Sequence, residues 1–166
     1  VNVPPVLAVN AGFTVPEGGT HAVANTELRV TDTDNSAAQL SFVVTVLPVR
    51  GALKVNGVAV VVNGGFSQAD IDAGRVTYVH DGSETTADSF TFTVSDGAGG
   101  TINATACAIT VTPVNDPPVL AMNTGFALDE GTTHALTTME LRATDVEQAA
   151  AQLRAVSDVH YRCTSP

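Results

Sequence analysis

The chain contains no tryptophan, and aromatic residues make up only 5% of it. Its core must therefore be built largely from small aliphatic side chains, and a stacking platform for sugars or bases has little to be made from. Positive charge is equally scarce. Seven Lys and Arg stand against 17 Asp and Glu, a formal net charge of −10, and Lys54 is the single lysine. Such a surface repels phosphate, so no nucleic acid partner is expected. The longest apolar run, Val58 to Val62, is far too short to span a bilayer, so no membrane insertion is expected. No basic stretch followed by an apolar one opens the chain, and its N-terminus reads as the middle of something longer. Two cysteines, Cys107 and Cys163, are too few for a disulfide scaffold. Two free thiols is the plain reading, and one disulfide, within or between chains, stays open.

What is present favours strands. Hydrophobic residues reach 44%, supplied mainly by Val, Ala, Leu and Ile beside abundant Thr. Fourteen glycines and eight prolines provide the turns that a many-stranded fold needs.

The strongest signal is internal repetition. The segment from Val1, VNVPPVLAVNAGFTVPEGGTHAVANTELRVTDTDNSAAQL, returns from Val114 as VNDPPVLAMNTGFALDEGTTHALTTMELRATDVEQAAAQL. The offset is constant from Asn2/Asn115 to Leu40/Leu153, and over half of the aligned positions are identical. One module is therefore expected over 1–114, followed by a second, truncated one over 115–166. After Leu153 the similarity collapses into the divergent tail RAVSDVHYRCTSP.

Within the first module the pattern predicts strands at Val6–Val9, Thr26–Thr31, Gln39–Leu47, Ala52–Val55, Val58–Val62 and Arg75–His80. Asn56-Gly57 marks a two-residue hairpin turn between the fourth and fifth of these. Phe90, Phe92 and Val94 alternate with Thr91, Thr93 and Ser95, as in a strand with one buried face. A last strand is expected over Thr101–Thr112, with Cys107 in phase with Ile109 and Val111 and so facing the core. Ser67 to Asp72 reads as one helical turn. About seven strands with turns every 8–12 residues predict an all-β, Ig-like antiparallel Greek-key sandwich. Asn103-Ala104-Thr105 matches the N-glycosylation sequon, and is read as coincidental if the chain is bacterial.

The stretch GGFSQADIDAGRVTYVHDGSETTADSFTFTVSDGAGG, closed by VTPVNDPP, resembles the cadherin-like repeats of bacterial surface proteins and of chondroitin-sulfate-proteoglycan-type ectodomains. The resemblance covers the first module and the first third of the second. It implies an extracellular or cell-surface protein, expected to be bacterial, with calcium at the junctions between modules. Glu17 matches the acid near a module's start that reaches towards the following junction. Asp81 and Glu84 stand where cadherins carry an acid-x-acid motif, spaced one residue differently. Asn115 and Asp116 match the linker motif, and Asp145 and Glu147 the pair supplied by the next module. Asp32, Asp34 and Asp96 match the set facing the preceding junction. Val3 occupies the position of Asp116 there, so the N-terminal set is expected to be the weaker.

The physics of such clusters agrees. Calcium takes six to eight oxygen ligands. Two bare carboxylates about 4 Å apart repel by about 4 kcal/mol at an effective dielectric of about 20. The same residues are also good turn formers on any surface.

Against this stands catalysis. His21 and His134 occupy equivalent repeat positions, His80 has no accompanying nucleophile, and no Gly-x-Ser-x-Gly, His-Glu-x-x-His or phosphate loop occurs. The expectation is a non-catalytic structural or adhesive module, a spacer or the protomer of a filament. Its expected partners are neighbouring modules or other copies of the chain. The truncated module is explained by excision, by a reading-frame change, or by completion with strands of another copy. The competing reading is a glycan- or protein-binding adhesin domain, with Phe13, Phe66, Tyr78 and Phe126 as its candidate aromatic patch.

Overall fold

The computed structural model describes residues 1–154. His160 and Cys163, with the rest of the divergent tail from residue 155, lie outside the described residues. The chain divides into two compact units, one of them Val1–Val114 and the other beginning at Asn115.

The first unit is built from eleven strands and one short helix: β1 (Val6–Asn10), β2 (Phe13–Pro16), β3 (Thr20–Ala22), β4 (Leu28–Thr31), β5 (Ser41–Val46), β6 (Gly51–Val55), β7 (Val58–Ala59), β8 (Gly65–Ser67), α1 (Gln68–Asp72), β9 (Val76–His80), β10 (Ala87–Ser95) and β11 (Thr101–Thr112). One sheet has the order β2-β11-β10-β5-β8 and the other β3-β9-β6-β7, with β1 paired to β4 alone. Pairing is antiparallel except between β2 and β11, which run parallel from Ile109↔Phe13 to Thr112↔Pro16. The all-β sandwich is as the alternation predicts, and only this one pair departs from an antiparallel arrangement.

One core joins both sheets. Phe42, Val44, Phe90, Phe92, Val94, Cys107, Ile109 and Val111 come from one, and Leu53, Val76 and Tyr78 from the other. Phe13 on β2 reaches across to Tyr78 on β9, with ring centroids 5.9 Å apart. On β10 the buried residues are Phe90, Phe92 and Val94 and their neighbours are half-exposed, the two-residue period of a strand buried on one face. Cys107 faces the core as its phase predicts, and is a free thiol. Burial, with a smaller contribution from the charge of Glu27, pushes that thiol up to about 12. It therefore stays protonated and behaves as a small apolar side chain.

Turn chemistry decides several boundaries. Asn56 and Gly57 have φ of 50° and 81°, the left-handed pair of a type I′ turn, and they join Val55 to Val58. The Val58–Val62 run is cut short after Ala59, because the chain turns at Val61, where Gly64 N–H donates to the Val61 carbonyl at 2.8 Å. Helix α1 forms over the expected SQADID segment through reciprocal capping. Ser67 Oγ accepts from Asp70 N–H, and Ser67 N–H donates to Asp70 Oδ2 at 2.8 Å. Asp70 also receives Arg75 Nε at 2.9 Å.

Bonding to the Ser67 N–H and hydroxyl, with Arg75 beside it, holds the Asp70 carboxyl below its ordinary 3.8 despite some burial. A carboxyl lowered in the folded state stabilises fully above 3.8, and its contribution is lost as pH falls through the folded value. Asp70→Ala is accordingly expected to cost about 1 kcal/mol at neutral pH. Urea titrations of both proteins check this, and the gap between them should narrow well below pH 3.8.

The second unit repeats the opening of the first. Strands β12 (Val119–Asn123) and β13 (Leu141–Thr144) pair antiparallel from Val119↔Thr144 to Asn123↔Leu141. The register slips between Leu120 and Met122, as it does between Leu7 and Val9 in the pairing of β1 with β4. His134 stacks on Phe126 at 4.9 Å, matching His21 on Phe13 at 4.9 Å. Each histidine binds the equivalent glutamate, His21 to Glu27 at 2.9 Å and His134 to Glu140 at 2.7 Å. These two histidines are elements of the repeat's own packing.

Candidate metal centres

At the N-terminal end of the first unit, three acids gather around the loop after β4 and the glycine turn after β10. Asp32 Oδ1 accepts the N–H groups of Asp34 and Asn35, at 2.9 and 3.0 Å. Asp34 Oδ2 accepts Val3 N–H at 3.2 Å. Asp96 is buried, 2% exposed, and its carboxylate receives Asn2 Nδ2 at 2.7 Å, Ala98 N–H at 2.7 Å and Gly100 N–H at 2.9 Å. Asn35 Nδ2 closes the loop onto the Asp96 carbonyl at 3.1 Å. A methyl group on Gly100 would collide with Asp96 Oδ2, so only glycine fits beside this carboxylate.

Buried Asp96 and half-buried Asp32 are both held ionised by donors. The side-chain amide of Asn2 lowers Asp96, with help from the N–H groups of Ala98 and Gly100 and against some burial. The N–H of Asp34 lowers Asp32, against burial and the nearby charge of Asp96.

The second unit builds the same cradle on the repeat-equivalent residues. Asp145 Oδ1 accepts Glu147 and Gln148 N–H groups at 3.0 and 2.9 Å. Glu147 Oε1 accepts Asp116 N–H at 2.8 Å, as Asp34 accepts Val3. Asn115 Oδ1 receives Gln148 Nε2 at 3.2 Å. Asn115, Asp116, Asp145 and Glu147 are thus brought together within one loop cluster.

At the other end of the first unit, Glu17 and Glu84 present carboxylate oxygens within 4.8 Å of each other. His80 positions them. It is 3% exposed, and its Nδ1 accepts Gly18 N–H at 3.1 Å and Gly82 N–H at 3.2 Å. That places the ring proton on Nε2, which lies 3.1 Å from Thr85 Oγ1. One buried imidazole therefore ties the loop of Glu17 to the loop of Glu84. Val114 N–H donates to Glu17 Oε2 at 3.3 Å. Asp81 serves its own turn, its Oδ1 accepting Ser83 Oγ at 2.6 Å and Ser83 N–H at 2.9 Å, bonds that lower its carboxyl. The positioning role of His80 was not visible in the sequence, where it reads only as a histidine beside acids.

Among the described residues, three buried side-chain oxygens accept no hydrogen bond: Glu17 Oε1, Asp32 Oδ2 and Asp145 Oδ2. All three belong to the acidic set singled out from the sequence, and Asp32 and Asp145 are the same repeat position. A buried carboxylate oxygen without a donor is costly in a folded protein. The donor set is entirely hard oxygen, which suits calcium and not a thiolate-seeking metal. The residues present fit the ion that the resemblance to cadherin-like repeats implies.

The aromatic patch of the competing reading does not form. Phe13 and Phe66 are each 5% exposed and Tyr78 is fully buried, because the sparse aromatics fill the centre of the sandwich; Phe126 alone of the four is exposed. Tyr78 donates its hydroxyl to Asp88 Oδ2 at 2.8 Å inside the unit.

Residues 5–111 match the family described as cadherin-like. The chain belongs to that family. It is 38% identical over 125 residues to human FRAS1-related extracellular matrix protein 2, covering 75% of this chain and 4% of that protein. It is 37% identical over 145 residues to human chondroitin sulfate proteoglycan 4, covering 85% of this chain and 6% of that protein. With extracellular matrix protein 3 of the sea urchin Lytechinus variegatus it shares 42% identity over 81 residues, 49% of this chain and 2% of that protein. The chain therefore spans a few per cent of the length of these relatives. They are animal proteins, and they lend no support to the bacterial origin expected from the sequence. No helix among the described residues is long and apolar enough to cross a membrane.

Proposed function

We propose that this chain is a non-catalytic spacer or adhesive segment of an extracellular tandem-repeat protein, in which calcium stiffens the junction between repeats. Its partners under this reading are neighbouring repeats or other copies of the chain, and a filament is one assembly they would form. The observation that carries the reading is the coincidence of the three unpartnered buried oxygens with Glu17, Asp32 and Asp145. The relatives support its coarser part, since their names place them in extracellular matrix or among proteoglycans.

Chain connectivity adds a second argument. Val114 is tied to Glu17, and Asp116 follows two residues later, a reach of at most about 7 Å. Glu17, Glu84 and Asp116 would supply oxygens to one ion, with Asp145 and Glu147 from the following repeat. Carboxylates of one sign would then be neutralised, and the linker would lose its freedom to bend. Asp32, Asp34 and Asp96 would hold calcium more weakly, because Val3 replaces the linker acid there.

Titration calorimetry of the full chain with calcium tests this. Binding is expected with Kd in the range of about 10⁻⁴ to 10⁻³ M, typical of extracellular modules. Glu17→Gln and Asp145→Asn should each weaken the tighter site at least tenfold, while Asp32→Asn affects only the weaker one. Binding that ignores all three substitutions, or no binding at millimolar calcium, would sink the proposal.

A further inference from the structure

We infer that Asn103 is an N-glycosylation acceptor, modified with a lipid-diphosphate-linked oligosaccharide as donor. The inference rests on the extracellular reading above, because the modification requires passage through a secretory compartment. Asn103-Ala104-Thr105 has the acceptor pattern, a hydroxyl residue two positions after the asparagine and no proline between. The relatives are animal proteins and give no support to a bacterial origin, so the reason for treating the sequon as coincidence falls away.

The structure supplies three independent conditions. The first is exposure. Asn103 and Ala104 are both exposed, although they lie within the twelve-residue strand β11, whose later residues Cys107, Ile109 and Val111 are buried. The second is a bulge. On β10, Val94 pairs with Ile102 and Phe92 with Thr105, so Asn103 and Ala104 together oppose the single residue Thr93. A bulge lifts its extra residue out of the ladder and re-aims the side chain. Thr105 Oγ1 donates to the Asn103 carbonyl at 2.9 Å, which brings the hydroxyl residue back over the asparagine.

The third condition is an open outer edge. Strand β2 pairs with β11 only from Ile109 to Thr112, and the bond from Asn10 Nδ2 reaches no further back than the Ala106 carbonyl. No strand among the described residues pairs with the outer edge of β11 at Asn103, although β1 passes close to β11, and the Asn103 side chain itself stays exposed. A bare strand edge is also a template for pairing with another chain. A glycan on the bulge would cover that edge and turn lateral association elsewhere.

In the transfer, Asn103 Nδ2 attacks the anomeric carbon of the donor sugar. The new C–N bond replaces the glycosidic C–O bond, the lipid diphosphate leaves, and Nδ2 gives up one proton. Nothing is oxidised or reduced.

The test is secretion of the full chain from cultured animal cells behind a cleavable signal peptide. An amidase that cleaves the Asn–sugar linkage should produce a single-step mobility increase and leave an aspartate at position 103 by mass spectrometry. Asn103→Gln and Thr105→Ala should abolish the shift, whereas Thr105→Ser should keep it. The enzymatically deglycosylated wild type provides a readout that does not depend on any variant folding, and it should self-associate more than the glycosylated chain in sedimentation. A secreted chain with position 103 unmodified overturns the inference and leaves the extracellular reading intact. Glycan found on a parent protein confined inside the cell would overturn that reading and leave the modification standing.

Discussion

Calcium at a hundredfold excess over its Kd is expected to stabilise the first unit by about 2.7 kcal/mol, if it binds only the folded chain. For a domain slightly over 100 residues, this raises the melting temperature by roughly 10 °C. The physical source is the state of the acids without an ion. Asp96 opposes the ionisation of Asp32, and Asp32 Oδ2 and Glu17 Oε1 are buried with no donor. An ion satisfies those oxygens and screens the repulsion among them. Without it the unit should still fold, because the core is apolar and the opposite oxygens of the same carboxylates are held by N–H groups. Calcium is therefore expected to add stability and not to create the fold, unlike a structural zinc in a small domain. Differential scanning calorimetry with and without a chelator measures this. Magnesium should substitute poorly, since it demands a tight octahedral shell that loop carboxylates spread over several ångströms do not supply. A chelated sample that melts at the same temperature would contradict the account.

Asp96→Ala is expected to be the most damaging single change at this end, costing about 3 kcal/mol through the loss of charge-assisted bonds to a buried acceptor. The carboxylate is the hub of the glycine turn. Without it, Asn2 Nδ2 and the N–H groups of Ala98 and Gly100 lose their acceptor together. Asp96→Asn separates the two roles of the residue. Its amide oxygen still accepts from Ala98 and Gly100, and a rotated Asn2 amide offers its oxygen to the new NH₂ group. The fold should then lose about 1 kcal/mol, but the charge that attracts calcium is gone. The expected pattern in urea titrations is a much lower midpoint for the alanine variant and a nearly normal one for the asparagine variant. In calcium titrations both should lose the weaker site. Equal destabilisation by the two variants would mean that charge, and not the hydrogen-bond hub, holds the turn.

Much of the fold was legible locally. The alternation of Phe90, Phe92 and Val94 needs no partner strand to be read, because successive side chains in any extended segment point to opposite faces. The Asn56-Gly57 turn and the Ser67–Asp70 capping box are likewise decided within four residues. Three strands escaped the pattern: Phe13–Pro16, Thr20–Ala22 and Gly65–Ser67. Each has only three or four residues, too few for a period to show, and each exists because a longer strand beside it supplies the hydrogen bonds. The long apolar run Val58–Val62 failed in the opposite way, since residue type favoured a strand that the turn at Val61 cuts off.

The candidate site divides along the same line. The repeat by itself determined that Asp32 and Asp145 are equivalent, that Asp34 corresponds to Glu147, and that acids flank the Val114-Asn115-Asp116 linker. Identity at a constant offset requires equivalent local structure, and the matching cradles follow from it. Only the tertiary structure decided that Glu84 meets Glu17 while Asp81 turns to Ser83, that His80 is the buried pin between their loops, and that Asn103 sits on an open bulge. It also placed the few aromatics inside the sandwich and not on a binding face. The reason is physical. A side chain's face and a turn's type are set by neighbours in the chain, whereas a meeting of two loops depends on which strands pair and in what register, and those choices belong to the whole sheet.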